Sequence, residues 1–160
     1  MDDRTKLQIT SPSFENNGPM QKKHTGFGED ASPAFQLLNL SSEAVSIAIT
    51  MDDLDIPIIK TLNHWLIWNI PYIENIPENI PYGPVVPSLG NAKQGLGYGR
   101  NRYRGPKQPA FIKNAHRYIF RFYALNCFLD LDSSAKKLNL LDAMKGHVIQ
   151  QGSITGNYRR

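Results

Sequence analysis

Three segments of the chain have the composition and the two-residue period of β-strands, and they constrain the fold more than any other feature of the sequence. They are residues 45–51, 62–70 and 116–125. The second is largely apolar on both faces, which is typical of a central strand. A fourth segment, 149–158, shows the pattern weakly and contains two glycines, so we expect it near a sheet edge. The pattern predicts a protein dominated by β-structure.

The alternation also predicts which side chains share a face. In the third segment one face carries His116, Tyr118, Phe120, Phe122 and Ala124, and this is the candidate core face. In the first segment the shared face carries Val45, Ile47, Ile49 and Met51. In the second, one face carries Leu62, His64, Leu66, Trp68 and Ile70, and the other carries Trp65 and Ile67.

One helix is predicted, from about residue 135 to 145. Ser133 or Ser134 would accept a hydrogen bond from its first turn, and Gly146 would close it in the left-handed conformation. The side chains expected to face the core are Leu138, Leu141 and Met144. Residues 71–109, in contrast, hold seven of the 11 prolines and six of the 12 glycines, so we expect a long ordered loop there.

Length and composition indicate one globular domain, residues 1–160, with 41% apolar and 20% charged residues. The start of the chain, from Met1 to Arg4, has no apolar stretch typical of a signal peptide, and no later segment is apolar for long enough to span a bilayer. The expected location is therefore cytoplasmic. Cys127 is the one cysteine, which excludes an intrachain disulfide, and its apolar neighbours predict a buried, unreactive thiol.

The charge is unevenly distributed. The net charge is +4, but between Asn79 and Leu129 there is no Asp or Glu while eight Lys and Arg residues occur. Such a stretch attracts anionic partners, whether phosphate groups, nucleic acid or acidic proteins. The arginines lie on no recognisable nucleic-acid-reading element, so nucleic acid is the least favoured of these.

Polar residues collect where the predicted strands meet loops. Asp52, Asp53 and Asp55 follow the first strand, and His64 and His116 lie near the ends of the next two. Three carboxylates so close require compensating cations or donors. A metal is one solution, but the ligands and glycine of a calcium loop are missing. A carboxylate hydrogen-bonded to an imidazole is another. For the histidines themselves, the alternative is a residue whose hydrogen bonds are satisfied within the core.

The order of short motifs along the chain resembles that of the phosphatidylethanolamine-binding protein family, in its bacterial and archaeal branch of Raf-kinase-inhibitor-like proteins. The resemblance runs from about residue 7 to the C-terminus. It is carried by residues 11–14, 18–19, 28–33, 53–57, 64–65, 69–71, 103–106, 116–118, 123–125, 143–148 and 156–158.

This resemblance implies an all-β fold with short helices, a β-sandwich in which a large antiparallel sheet packs against a smaller one. It also implies a small pocket for phosphate-like or carboxylate-like groups, including a phospholipid headgroup. Transferred motif by motif, the ligand-binding residues are Asp53, Pro57, His64, Gly105, Pro106, His116 and Tyr118. The family further implies a cis peptide before Pro57. Two departures from its pattern, Leu54 in place of a proline and Lys107–Gln108 in the Gly-Pro turn, alter the expected rim.

We therefore expect a non-enzymatic protein that binds a small anion or headgroup, without a metal or cofactor. His64, His116, Tyr118 and backbone N–H groups near Gly105 would donate hydrogen bonds, and Asp53 would orient the imidazoles. The alternative is a protein-interaction module that inhibits a kinase or a protease. A hydrolase is disfavoured because no Gly-x-Ser-x-Gly motif occurs. A homodimer and peripheral contact with a membrane are the further expectations.

Overall fold

A computed structural model describes the backbone of residues 3–160 and the side chains of residues 4–160. Met1 and Asp2, part of the start considered above, lie outside this range. Short 3-10 turns occupy Asp3–Thr5, Lys22–His24 and Pro87–Leu89. The strands and the helix are β1 (Ile9–Thr10), β2 (Gly18–Pro19), β3 (Phe35–Leu37), β4 (Ser46–Ile56), β5 (Lys60–Pro71), β6 (Asn75–Ile76), β7 (Val85–Val86), β8 (Ala92–Gln94), β9 (His116–Leu125), α1 (Lys137–Met144) and β10 (Val148–Tyr158).

The strands form two sheets. The larger has seven strands in the order β2-β10-β9-β4-β5-β8-β7, and the smaller has three in the order β1-β3-β6. All neighbours are antiparallel except β2 and β10. The predicted all-β fold, with a large sheet packed by a smaller one, is confirmed. Strand β10 is bordered by β9 along its length but by only two residues of β2 on its other side, so it lies near the edge as expected.

Both faces of the large sheet are covered. One face packs against the small sheet through a cluster that includes Phe35, Ile49, Trp65, Phe120 and Phe122. The other face packs against α1 and the segment before it, through a cluster that includes Ala48, Leu66, Trp68, Leu140 and Met144. The predicted core face of β9 is confirmed, because its alternate residues from His116 to Ala124 are buried. Ile47, Ile49 and Met51 share a face as predicted, whereas Val45 precedes the strand and is partly exposed.

Strand β4 is longer than predicted. It continues to Ile56, so Asp52, Asp53 and Asp55 belong to the strand instead of following it. Asp52 and Asp53 are buried. The strand can continue through them because alternation sends the two carboxylates to opposite faces, where each has its own partners.

Two irregularities in β5 make the predicted face assignment wrong. Met51 pairs with Trp65 and Asp52 with Asn63, so His64 is an extra residue in its strand. A second register shift lies at Asn69, whose φ is 59°. Each bulge inserts one extra residue, so the side chains that follow it point to the opposite face from the one that strict alternation predicts. Ile70 therefore packs with Trp65 and Ile67, while Leu66 and Trp68 lie on the opposite face.

The helix α1 differs from its prediction in two respects. Its first N–H groups are not capped by Ser133 or Ser134; instead the Lys136 N–H donates to Asn139 Oδ1 (2.9 Å). Leu138 is 74% exposed, whereas Leu140 and Met144 are buried. Leu140 and Met144 are four residues apart and form the stripe that faces the sheet, and Leu138 projects from the other side. Gly146 has the expected left-handed conformation, with φ 80°.

The turn between β4 and β5 contains an unusual backbone. No peptide bond within residues 3–160 is cis, so the expectation for Pro57 was wrong. The chain reverses instead through left-handed conformations at Ile58 (φ 71°) and Lys60 (φ 68°). A β-branched residue is strained in this region. Ile58 is also 96% exposed, so its side chain gains no burial in return.

We predict that Ile58→Asn stabilises the fold. Asparagine tolerates the left-handed region, and relief of this strain is expected to raise the free energy of unfolding by about 1 kcal/mol. Ile59→Asn is the matched control, because Ile59 is exposed but lacks a positive φ; its effect should stay within about 0.5 kcal/mol. Urea unfolding measures both changes, and equal effects of the two substitutions would contradict the prediction.

Candidate functional site

A cavity of about 340 Å³ opens at one end of the large sheet. This volume lies within the range of small-molecule sites, roughly 300–1,000 Å³. The β4–β5 hairpin, the segment from Tyr98 to Ile112 and the start of β9 line it. Six of the seven predicted site residues are brought together there, namely Asp53, Pro57, His64, Gly105, His116 and Tyr118.

Pro106 is the predicted residue that does not line the cavity. It is buried, and its carbonyl accepts a hydrogen bond from the Gly26 N–H (2.8 Å). Pro106 therefore holds the Gly105–Pro106 turn against the loop that contains Gly26. Leu54 does not line the cavity either, whereas Lys107 does, so only the second of the two expected departures alters the rim.

At the floor of the cavity, His116 is paired with Asp53. The imidazole Nδ1–H donates to Asp53 Oδ2 (2.8 Å), and each side chain is 3% exposed. The other carboxylate oxygen accepts the Asp55 N–H (2.8 Å). Since Nδ1 carries this proton, Nε2 is the ring nitrogen that remains to be satisfied. It is buried and has no hydrogen-bond partner among the described residues.

His64 is held differently. Its Nδ1–H donates to the carbonyl oxygen of Arg104 (2.8 Å), which fixes the tautomer because a carbonyl can only accept. Burial lowers the pKa of His64, and this effect outweighs the hydrogen bond to the Arg104 carbonyl and the negative charge of Asp53, which both raise it. The ring is therefore neutral at pH 7, and its Nε2 is an acceptor. The expectations that His64 donates to an anion, and that Asp53 orients both imidazoles, were wrong for this residue.

Tyr118 lies between the two histidines. Its ring is 5.5 Å from that of His64 and 6.5 Å from that of His116, measured between centroids. Burial, followed by the negative charge of Asp53, raises the pKa of the Tyr118 phenol well above its ordinary value. The phenol is therefore protonated over the physiological range and acts as a hydrogen-bond donor.

The turn that bears Gly105 is anchored by Asp30. The Gly105 N–H donates to Asp30 Oδ1 (2.7 Å), and the Arg102 guanidinium binds the other oxygen. The backbone N–H of Gly105 is thus already used and is not free for an anion; donation by the N–H groups near Gly105 stays a prediction. The Tyr103 hydroxyl donates to His24 O (2.6 Å) and fixes the same turn. Asp30 lies in one of the motifs that carry the family resemblance, but its role depends on residues more than 70 positions away.

The wall of the cavity combines two cations with apolar side chains. Arg104 lies over the Tyr98 ring at 4.2 Å, and that ring meets His64 edge-on at 5.0 Å. Lys107 supplies the second cation. The apolar lining is formed by Ile56, Pro57, Leu62, Pro109, Phe111 and Ile112. The sequence indicated a basic stretch here but not which of its eight cations reach the cavity.

The thiol, the potential metal ligands and the helix bear on the remaining expectations from the sequence. Cys127 is partly exposed instead of buried. Within residues 3–160, no group of three or more His, Cys, Asp or Glu side chains is placed to hold a metal ion. No helix in that same range has the length and apolar character needed to cross a bilayer.

Comparison with protein families identifies the group to which this chain is related. A model of the family described as phosphatidylethanolamine-binding protein matches residues 10–159. The chain belongs to this family. Its relatives include the UPF0098 protein PH1269 of Pyrococcus horikoshii, which is 38% identical over 99% of this chain and 79% of the relative. A UPF0098 protein of Methanothermobacter thermautotrophicus is 36% identical over 96% of this chain and 99% of the relative.

Solved structures of phosphatidylethanolamine-binding protein homologues share the fold. The homologue CT736 of Chlamydia trachomatis superimposes with a TM-score of 0.85 at 29% identity, over 98% of this chain and 99% of that one. Escherichia coli YbcL, described as a member of the mammalian family, gives a TM-score of 0.84 at 23% identity, over 97% of this chain and 99% of that one. The bacterial and archaeal relatives confirm the branch expected from the motifs.

We predict that Gly105→Ala destabilises the protein strongly. A Cβ at this position would lie 2.0 Å from the carbonyl oxygen of His24, so the turn would have to leave its place against the Lys22–His24 segment. We expect a loss of about 3 kcal/mol in the free energy of unfolding. The control is Gly99→Ala, where φ is 76° but no atom lies within 4 Å of the added carbon; it should cost about 1 kcal/mol. Equal losses of unfolding free energy in Gly105→Ala and Gly99→Ala would contradict the role assigned to close packing around Gly105.

The lowered pKa of His64 predicts a pH-dependent stability. Below about pH 6.5 the unfolded chain binds a proton at this histidine, whereas the folded chain binds it only at lower pH. The free energy of unfolding therefore decreases as the pH is lowered. In His64→Gln the loss of unfolding free energy between about pH 7.5 and 5.5 should be smaller than in wild type. Burial lowers the pKa of His24 as well, so the double variant with His24→Gln should show a smaller slope still. If the free energy of unfolding of His64→Gln depends on pH as steeply as that of wild type, this assignment is wrong.

Proposed function

We propose that the protein binds a small ligand bearing a phosphate-like or carboxylate-like group in this cavity, with a phospholipid headgroup as one source of that group. The observation that carries the proposal is His116 Nε2, a buried polar atom without a partner among the described residues, on a ring that lines the cavity. An unsatisfied buried polar group costs about 1–3 kcal/mol, which a ligand would recover.

The charge around the cavity fits an anion. Arg104 and Lys107 line it, and Asp53, the one carboxylate among the described lining residues, is engaged by His116 and by the Asp55 N–H. In the complex, a His116 ring with both nitrogens protonated donates to Asp53 on one side and to an anionic oxygen on the other. Such charge-assisted bonds are roughly twice as strong as neutral ones.

The neutral His64 adds a second requirement. Its Nε2 is an acceptor, so a ligand that also carries a proton satisfies it better than a bare anion does. A singly protonated phosphate group, or a phosphate joined to an ammonium as in phosphoethanolamine, meets both requirements. A fully ionised group without any donor meets only the requirement of His116.

We propose binding without catalysis. No serine, threonine or cysteine is among the described residues that line the cavity, so the aliphatic hydroxyl and thiol nucleophiles are missing from the described wall. The lining is largely apolar with a few converging polar groups, an arrangement typical of ligand-binding sites. Absence of hydrolysis stays a prediction.

Inhibition of a kinase or a protease, the alternative from the sequence, ranks second. Residues 93–107, the basic segment suited by composition to contact such a partner, are held against the body of the protein: Gln94 and Tyr103 are buried, and Arg102 is bound to Asp30. This segment therefore offers less free surface for a partner than its composition suggested. The homodimer and the cytoplasmic location also stay predictions.

We predict that His116→Ala weakens the binding of phosphate and phosphoethanolamine by at least about tenfold, because a charge-assisted hydrogen bond contributes roughly 1.5–3 kcal/mol. Isothermal titration calorimetry measures the affinities. The matched control is His147→Ala, at a partly exposed histidine outside the cavity that contacts Asn126. Equal affinity in wild type and His116→Ala would exclude this site, and failure of wild type to bind either compound would exclude the proposed function.

A further inference from the structure

Gln108 is a buried residue of the cavity wall to which the proposed function gives no role. It is 5% exposed and belongs to the Lys107–Gln108 part of the turn, where this chain departs from the motif pattern of the family. Its side-chain nitrogen Nε2 donates a hydrogen bond to the carbonyl oxygen of Tyr158 (2.8 Å). Since a carbonyl can only accept, this contact fixes which end of the amide is nitrogen and which is oxygen.

The amide oxygen of Gln108 is an unsatisfied acceptor. Oε1 is buried and has no hydrogen-bond partner among the described residues, although buried polar atoms normally have one. The backbone of the residue is also fixed, because its carbonyl oxygen accepts a hydrogen bond from the Arg160 guanidinium (3.1 Å). Tyr158, which holds the amide nitrogen, stacks on the ring of Phe27 with 6.1 Å between centroids. Gln108 Oε1 is therefore a preorganised acceptor for a ligand in the cavity.

Together with His64, this residue gives the cavity two neutral acceptors. The neutral ring of His64 uses its Nδ1–H for the Arg104 carbonyl and keeps Nε2 as an acceptor, and Gln108 contributes Oε1. A fully ionised phosphate has no proton to donate to either atom. The part of the ligand beyond the phosphate group must therefore carry hydroxyl or N–H donors to satisfy both.

The charges of the wall distinguish between these two kinds of donor. Arg104 and Lys107 are cations, and Asp53, the one carboxylate among the described lining residues, is already bound by His116. An ammonium group would meet two like charges and no free carboxylate, in a partly desolvated site where such repulsion is stronger than in water. A hydroxyl group donates to the same acceptors without this repulsion. The wall therefore favours a neutral donor.

We propose that Gln108 makes the cavity selective for a phosphate ester of a neutral polyol, of which glycerol phosphate is the simplest probe. The phosphate group binds beside His116, and hydroxyl groups of the alcohol donate to Gln108 Oε1 and His64 Nε2. The inference rests on the proposed function for the phosphate group and adds the chemical class of the remainder. It ranks a hydroxyl-bearing ester above phosphoethanolamine.

The test compares inorganic phosphate, methyl phosphate, phosphoethanolamine and glycerol phosphate by isothermal titration calorimetry. Methyl phosphate has the ester but no donor on its alcohol, so wild type should bind glycerol phosphate roughly tenfold more tightly than methyl phosphate. Phosphoethanolamine should bind more weakly than glycerol phosphate, because its ammonium group meets the cations of the wall.

Gln108→Leu replaces the acceptor with an apolar side chain. The preference for glycerol phosphate over methyl phosphate should fall by at least about fivefold, while the affinity for methyl phosphate changes by less than about twofold. Gln108→Met, with an unbranched side chain that adapts to irregular space, tests the same change if Gln108→Leu does not fold. The matched control is Gln21→Leu, at an exposed residue outside the cavity whose Nε2 also donates to a backbone carbonyl (2.9 Å); it should keep the wild-type preference.

The outcomes separate this inference from the proposed function. If wild type binds none of the four compounds, both are wrong. If wild type binds methyl phosphate and glycerol phosphate equally, or if the Gln108 variants keep the wild-type preference, the inference alone is wrong. Tighter binding of phosphoethanolamine than of glycerol phosphate also overturns the inference, because the charges of the wall would then not exclude an ammonium group.

Discussion

Two consecutive buried carboxylates in the central strand β4 determine what the rest of the structure must supply. Asp52 and Asp53 are 0% and 2% exposed. Breaking a buried pair of charges by removing one partner costs about 3–5 kcal/mol, so each carboxylate has to keep its partners on its own face of the sheet. Asp52 binds Arg121 (2.8 Å) and Lys137 (2.6 Å), and through Lys137 it ties the helix α1 to the sheet. Asp53 binds His116 on the other face and so builds the floor of the cavity.

The sequence predicted this architecture where local rules operate and failed where distant residues decide. The face of β9 follows from strict alternation, and the structure confirms it from His116 to Ala124. The faces of β5 do not follow from alternation, because the bulges at His64 and Asn69 depend on how β5 pairs with β4. The His64 bulge also has a functional consequence, since it places the ring beside Tyr118 in the cavity. The motif resemblance identified His64 as a site residue although the alternation rule assigned its face wrongly.

The same distinction holds within the site. The residues that line the cavity could be predicted from short motifs, but their protonation and free hydrogen-bonding capacity could not. Whether His64 donates or accepts depends on a carbonyl 40 positions away, and whether Gly105 can bind an anion depends on Asp30. These contacts exclude His64 Nδ1 and the Gly105 N–H as free donors and leave His116; the Tyr118 hydroxyl is hydrogen-bonded to Asp53. The polar groups of the cavity are therefore asymmetric: His64 is an acceptor close to the Arg104 cation, whereas His116 Nε2 has no partner among the described residues.

This asymmetry relates the cavity to its surroundings. A headgroup that satisfies His116, Tyr118 and His64 together carries an apolar remainder when it belongs to a lipid, and that remainder must leave through the mouth. The mouth is bordered by Pro57, Phe111 and Ile112, and beyond them by the exposed Ile58. A free phosphate needs none of these side chains, because Arg104 and Lys107 already supply charge at the wall. Within the proposed function, the combination of a polar floor with an apolar mouth thus favours an amphiphilic ligand over a free anion.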